Sequence, residues 1–124
     1  MDTNPFTLPG QWYKGNLHTH STLSDGKKTP EQAIKWYRSH GYHFLSLTDH
    51  DVLSEGEALY GGDFLTIGGL EIKGVDPASG SYHLLGFGLV RSPGWSGEPE
   101  IPLQEAAERL REAGGLVFIA HPYW

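Results

Sequence analysis

His18 and His20 stand one residue apart at the end of an apolar strand, and the turn Ser24-Asp25-Gly26 follows at once. Residues i and i+2 of a strand point to one side, so the two imidazoles converge on one point. A metal ion is the usual reason for neutral imidazoles to do so. A second cluster, Thr48-Asp49-His50-Asp51, comes later, with single candidates at Glu71, His83 and His121.

The elements around these residues read as an alternating α/β pattern. Residues 1–11 form an irregular arm, and Trp12 to His18 reads as the first strand. Thr29 and Gln32 frame a capping box with Pro30 at the first helical position, and Gly41 closes that helix. His43 to Leu47 is a mostly apolar strand of the kind a buried parallel sheet requires. Together these make a βαβ unit. Val52 to Tyr60 reads as a short helix, Phe64 to Ile72 as a third strand and Tyr82 to Val90 as a fourth. The last two are spaced to pair as a hairpin through the turn 76–80. Arg91 to Pro102 is a loop, Pro102 to Ala113 an amphipathic helix, and Leu116 to Ala120 a final strand that delivers His121. His18, His20, His50 and His121 therefore fall at or just past the C-terminal ends of strands expected to be parallel. Sites in α/β folds are built there.

Residue chemistry separates ligand candidates from bystanders. His18, His20, Asp25, His50, Glu71, His83 and His121 are the candidate metal ligands, through which they would be catalytic. Asp49 is placed behind them, orienting an imidazole; Asp51 reads as a loop residue or helix cap. Glu71 lies in an apolar strand, where a buried carboxylate needs a partner, and a cation is the best one. His40 suits a helix end, and His43 opens a strand. Lys27 and Lys28 read as a solvated loop that an anionic substrate could also meet.

Composition narrows the chemistry. The chain has 124 residues and a formal net charge of −6, which disfavours a nucleic-acid partner but not a small phosphorylated substrate, since bound cations reverse the local sign. It has no cysteine, so disulfides, thiolate metal sites and cysteine nucleophiles are excluded and any metal is held by nitrogen and oxygen. Five histidines against two firm carboxylates leave two or three divalent cations (Zn²⁺, Mn²⁺ or Fe²⁺) with net positive charge. Such a centre favours an anionic ligand and metal-activated hydroxide, as phosphate-ester hydrolysis requires. No apolar run approaches the roughly 20 residues of a membrane span, and the start does not look like a secretory signal, so a cytoplasmic protein is expected.

Taken in order, His18-Thr19-His20 with Ser24-Asp25-Gly26, Thr48-Asp49-His50-Asp51, Gly69-Leu70-Glu71, His83 and Ala120-His121-Pro122 resemble the motifs of the PHP (polymerase and histidinol phosphatase) family. The resemblance runs from about Lys14 onward. It implies a distorted seven-stranded TIM-like β/α barrel with metals at its C-terminal mouth, and phosphoesterase activity on a small phosphomonoester or nucleotide. By the same resemblance His18, His20 and Glu71 hold one metal, Asp25 and His50 a second, and Glu71, His83 and His121 a third. The family's late Asp-x-His motif has no counterpart here, so residues 12–124 are expected to be a partial PHP domain needing a further C-terminal segment or a partner chain. A non-catalytic metal-binding or structural module and a PHP-type 3′–5′ exonuclease are the alternatives.

Overall fold

The computed structural model describes residues 4–54, 56, 58–60 and 62–122. Its elements are β1 (Gly15–Asn16), α1 (Pro30–Ser39), β2 (Phe44–Ser46), β3 (Ala58–Tyr60), β4 (Phe64–Ile67), β5 (Gly69–Asp76), β6 (Gly80–Phe87), α2 (Leu103–Glu112) and β7 (Leu116–Ala120). They build a mixed α/β fold with a four-stranded sheet, β1-β2-β4-β3, and a three-stranded sheet, β5-β6-β7. Among the described residues the strands do not close into a barrel, and no helix is long and apolar enough to cross a membrane.

The βαβ unit forms as the sequence suggests. The Thr29 hydroxyl accepts from the Gln32 amide at 3.3 Å, and the Gln32 side chain accepts from the Thr29 amide at 3.0 Å. Both otherwise unsatisfied donors are thereby paired. Helix α1 then lays Ala33 and Ile34 on Leu45, Leu47 and Phe64, and β1 and β2 run parallel.

The first strand is much shorter than expected. The polar side chain of Asn16 ends it by donating to Thr19 Oγ1 (2.8 Å) and to the Tyr37 hydroxyl (2.6 Å). Trp12 and Tyr13 stay exposed.

The segment expected to be helical at 52–60 instead returns as strand β3, antiparallel to β4; residues 55 and 57 lie outside the described residues. Gly56 approaches the backbone of Gly68 so closely that a Cβ would collide with it. A mid-segment glycine also weakens a helix by roughly 1 kcal/mol.

The expected third strand is two strands. The chain changes sheets at Gly68, so that β4 lies parallel to β2 and β5 starts the second sheet. Gly69 sits where a Cβ would be 2.5 Å from Ser46 Oγ and 3.0 Å from the Gly86 carbonyl. Strands β5 and β6 form the expected hairpin.

Helix α2 packs Ala106 and Leu110 on Leu70, Ile72, Tyr82, Leu84 and Trp95. Pro102 precedes it without a side-chain cap. Asp76 of the hairpin turn supplies the acceptor instead, at 2.7 Å from the Leu103 amide. Strand β7 runs antiparallel to its neighbour β6, a departure from the expected parallel arrangement.

One junction between the sheets lies beside the candidate ligands. The chain beyond β2 pairs with β5 through a parallel bridge between His50 and Glu71. The Glu71 amide donates to the Asp49 carbonyl (3.1 Å), and the Asp51 amide donates to the Glu71 carbonyl (3.0 Å). Overpacking at the adjacent sheet switch is costly. Gly69→Ala is expected to lose about 2 kcal/mol of stability in urea unfolding, whereas Gly10→Ala, with nothing within 4 Å of the new Cβ, is expected to be neutral within about 0.5 kcal/mol.

Candidate metal centre

Alternation along β5 sends Leu70 and Ile72 into the core beneath α2 and turns Glu71 to the opposite face. Glu71 is fully buried, and five imidazoles surround its carboxylate. Oε2 lies 3.0 Å from His18 Nε2, 2.9 Å from His20 Nε2 and 3.6 Å from His50 Nδ1. Oε1 lies 2.8 Å from His83 Nδ1 and 3.7 Å from His121 Nε2. All five histidines singled out in the sequence thus gather at one point. His40 and His43 do not join them: His40 ends α1 and stacks on Trp36, and His43 Nδ1 accepts from the Lys14 amide.

Each imidazole arrives by a different route. His18 and His20 lie beyond β1 on a segment tied to the β2 extension, where the Thr48 amide donates to the Thr19 carbonyl at 2.8 Å. His50 comes from the bridge between the sheets. His83 sits near the start of β6 and His121 just past the end of β7, with His83 paired to Ala120. Antiparallel neighbours present opposite ends to the same place, so the antiparallel β6–β7 pairing still delivers both. His121 has φ +42°, a left-handed conformation that is strained for a non-glycine residue and is found disproportionately at functional sites.

Asp49 is fully buried but does not reach an imidazole. Its oxygens accept from the Ser21 amide (2.7 Å), the Ser21 hydroxyl (2.7 Å) and the Ser24 hydroxyl (2.6 Å). It fastens the loop that carries His18 and His20, and so positions them through the backbone. Ser21 and Ser24 were not singled out in the sequence; small polar residues beside a turn carry no signal that separates this role from loop chemistry. Asp25 is exposed and places Oδ1 2.9 Å from His20 Nδ1 and Oδ2 3.7 Å from His50 Nε2. Asp51 adopts φ +58° and accepts from the Gly97 amide at 3.0 Å.

The donors suit a cation. His18 Nε2 and His20 Nε2 approach to 3.0 Å, and both face the same carboxylate oxygen. Among the described residues, His50 Nδ1 is buried with no hydrogen-bond partner, an arrangement that costs free energy unless something else occupies its lone pair. Two sets have ligand atoms within 4.8 Å of one another: His18, Glu71 and His121, and His20, His50 and Glu71. Both share Glu71, and both differ from the triples that the family resemblance implies. All donors are nitrogen and oxygen, as Zn²⁺, Mn²⁺ or Fe²⁺ accept. Beside His20 a cleft of about 350 Å³ is lined by Lys27, Lys28, Trp36 and Tyr37. A larger cavity of about 560 Å³, between Tyr13, Phe44 and Leu65, holds none of the candidate ligands, so chemistry and not size marks the site.

No family model matches the chain. Over 82 residues, 60% of the chain, it is 34% identical to a phosphoribosyl 1,2-cyclic phosphate 1,2-diphosphodiesterase from Eggerthella lenta. It spans 30% of the length of that curated relative. Its fold is similar to that of an amidohydrolase from Chromobacterium violaceum, solved with bound sulfate and no metal (TM-score 0.67, 17% identity, 88% of this chain and 67% of that one). It is also similar to a two-domain protein from Bacteroides vulgatus containing a predicted PHP-like metal-dependent phosphoesterase (TM-score 0.64, 22% identity, 90% of this chain and 36% of that one). The fold is thus similar to that of PHP-like and amidohydrolase domains. The ordered histidine motifs of the sequence are the residues that the fold gathers around Glu71.

Charge around Glu71 sets the response of this cluster to acid. Burial pushes the Glu71 carboxyl up, but the hydrogen bond and charge of His18, the hydrogen bond of His83 and the charge of His50 hold it down at about 2. Burial lowers His50 from its ordinary 6.5, against the opposing pull of Glu71. Desolvation raises the Asp25 carboxyl, but the charges of His20 and His50 together with hydrogen bonds from its own backbone and Ser24 lower it on balance. A depressed carboxyl contributes stability that is present above its ordinary 4.5 and is lost as pH falls through about 2. A depressed imidazole contributes stability that is lost as pH falls below 6.5. The melting temperature of the metal-free protein is therefore expected to fall below pH 6.5 and again below pH 4.5, with Glu71→Gln flattening the lower step. Asp49→Ala leaves buried Ser21 donors unpaired and is expected to cost about 3 kcal/mol in denaturant titration.

Proposed function

We propose that the protein is a metal-dependent hydrolase of small phosphate esters, and that His18, His20, Asp25, His50, Glu71, His83 and His121 serve as its metal ligands. The observation that carries this reading is the fully buried Glu71 carboxylate with five imidazole nitrogens 2.8–3.7 Å from its oxygens. Buried charge is tolerated when it is paired, and a carboxylate shared by two ligand sets suits a bridge between cations. Two or three divalent ions held there would polarise phosphoryl oxygens and lower the pKa of water at the centre.

The chain's own residues shape the rest. Asp25 and Glu71 hold His20 from its two ring nitrogens, which sets its orientation. Asp49 keeps the His18–His20 segment in register with the β2 extension. The likeness to a cyclic phosphodiesterase brings small phosphodiesters into the substrate class beside phosphomonoesters. The acidic balance of the chain weighs against nucleic acid. Residues 12–124 are read as part of a PHP domain of TIM-like form. Leu116 and Phe118, on one face of β7, are more than half exposed, an apolar face of the kind that neighbouring elements of such a domain would cover.

The test uses the full-length protein and aryl phosphate mono- and diesters. Chelation is expected to abolish turnover and re-addition of Mn²⁺ or Zn²⁺ to restore it. His18→Ala and Glu71→Gln are expected to lower kcat/KM by about 10³-fold or more together with bound metal, measured by elemental analysis. Turnover unaffected by chelation overturns the proposal.

A further inference from the structure

Resting on that reading, we propose that Lys73 is the phosphate-binding cation of this centre: its ammonium, held at the rim by Glu98, takes up a phosphoryl oxygen of the substrate.

Strand periodicity places Lys73, two residues beyond Glu71, on the same face of β5. Its register partner across the hairpin is His83, which itself bonds Glu71 at 2.8 Å. Directly opposed residues of an antiparallel pair have Cβ atoms about 4.5–5.5 Å apart, so the lysine stem rises beside a member of the centre. Trp95 pins the strand there, its Nε1 donating to the Lys73 carbonyl at 2.8 Å. The backbone position is therefore fixed at the rim of the centre.

The ammonium is held by one weak contact. Lys73 Nζ lies 3.3 Å from a Glu98 carboxylate oxygen, with the side chains 28% and 56% exposed. With Glu98 open to water, such a pair is worth little and is weakened by salt. Glu98 sits in the glycine- and proline-rich loop 91–102, where Gly97 is tied to Asp51. A dianionic phosphate at the centre presents more charge than one glutamate. Lys73 would exchange Glu98 for the phosphate, and Glu98 would act as a competing anion that keeps the lysine poised. Lysine suits this role as a mobile point charge with three donors.

The test measures inorganic phosphate binding by calorimetry to the full-length, metal-loaded protein, alongside KM and kcat for an aryl phosphate. Lys73→Gln is expected to weaken phosphate binding and raise KM about tenfold, with a smaller change in kcat and unchanged metal content. Lys73→Arg is expected to restore most of the affinity. Glu98→Gln is expected to tighten phosphate binding by removing the competitor. Phosphate affinity unchanged in Lys73→Gln at full metal content overturns the proposal, as does weaker binding in Glu98→Gln. Binding is read directly, so this result stands apart from whether the protein turns over an ester, which tests the hydrolase reading.

Discussion

A carboxylate with no exposure to water needs positive or donating partners on every side, and Glu71 imposes that requirement on this molecule. Its five histidine neighbours come from the segment after β1, the extension of β2, the start of β6 and the end of β7. No single element can satisfy it. The arrangement needs both sheets in place, joined at the His50–Glu71 bridge.

Strand β5 couples that site to the core. Leu70 and Ile72 pack beneath α2 while Glu71 and Lys73 face the other way, so one strand is a core wall on one side and the floor of the centre on the other. The hairpin turn adds a second coupling. Asp76 closes the turn through the amides of Ala78 and Ser79 and caps α2 through Leu103, which fixes the helix over the strand carrying Glu71. On the opposite side, Asp49 grips Ser21 and Ser24 and holds the His18–His20 loop to the β2 extension. The imidazoles are exposed or half-buried, but their positions are set by fully buried groups.

Several elements could be read directly. The capping box Thr29–Gln32, the apolar face of α2 and the hairpin around Asp76 are local patterns, and the structure contains them. The elements that departed were those whose outcome depends on distant partners. The helix expected at 52–60 gave way to β3 because Gly56 meets Gly68 across the fold. The single strand expected at 64–72 divides at Gly68 because each half pairs with a different sheet. The parallel partner expected for β7 is instead antiparallel β6, a choice made by sheet order and not by the apolar run Leu116 to Ala120.

The same boundary runs through the site. The sequence alone determined the donor chemistry: with no cysteine and with histidines closing strand after strand, it defined a nitrogen- and oxygen-lined centre and named the five imidazoles and Glu71 that compose it. Only the tertiary structure decided which atoms face which. It showed Asp49 acting through the backbone of a loop, Asp25 turned to the outer nitrogen of His20, and Lys73 paired across the hairpin with His83. Residue type and spacing are properties of the chain, whereas the direction of a side chain relative to a residue fifty positions away is set by packing and register between sheets.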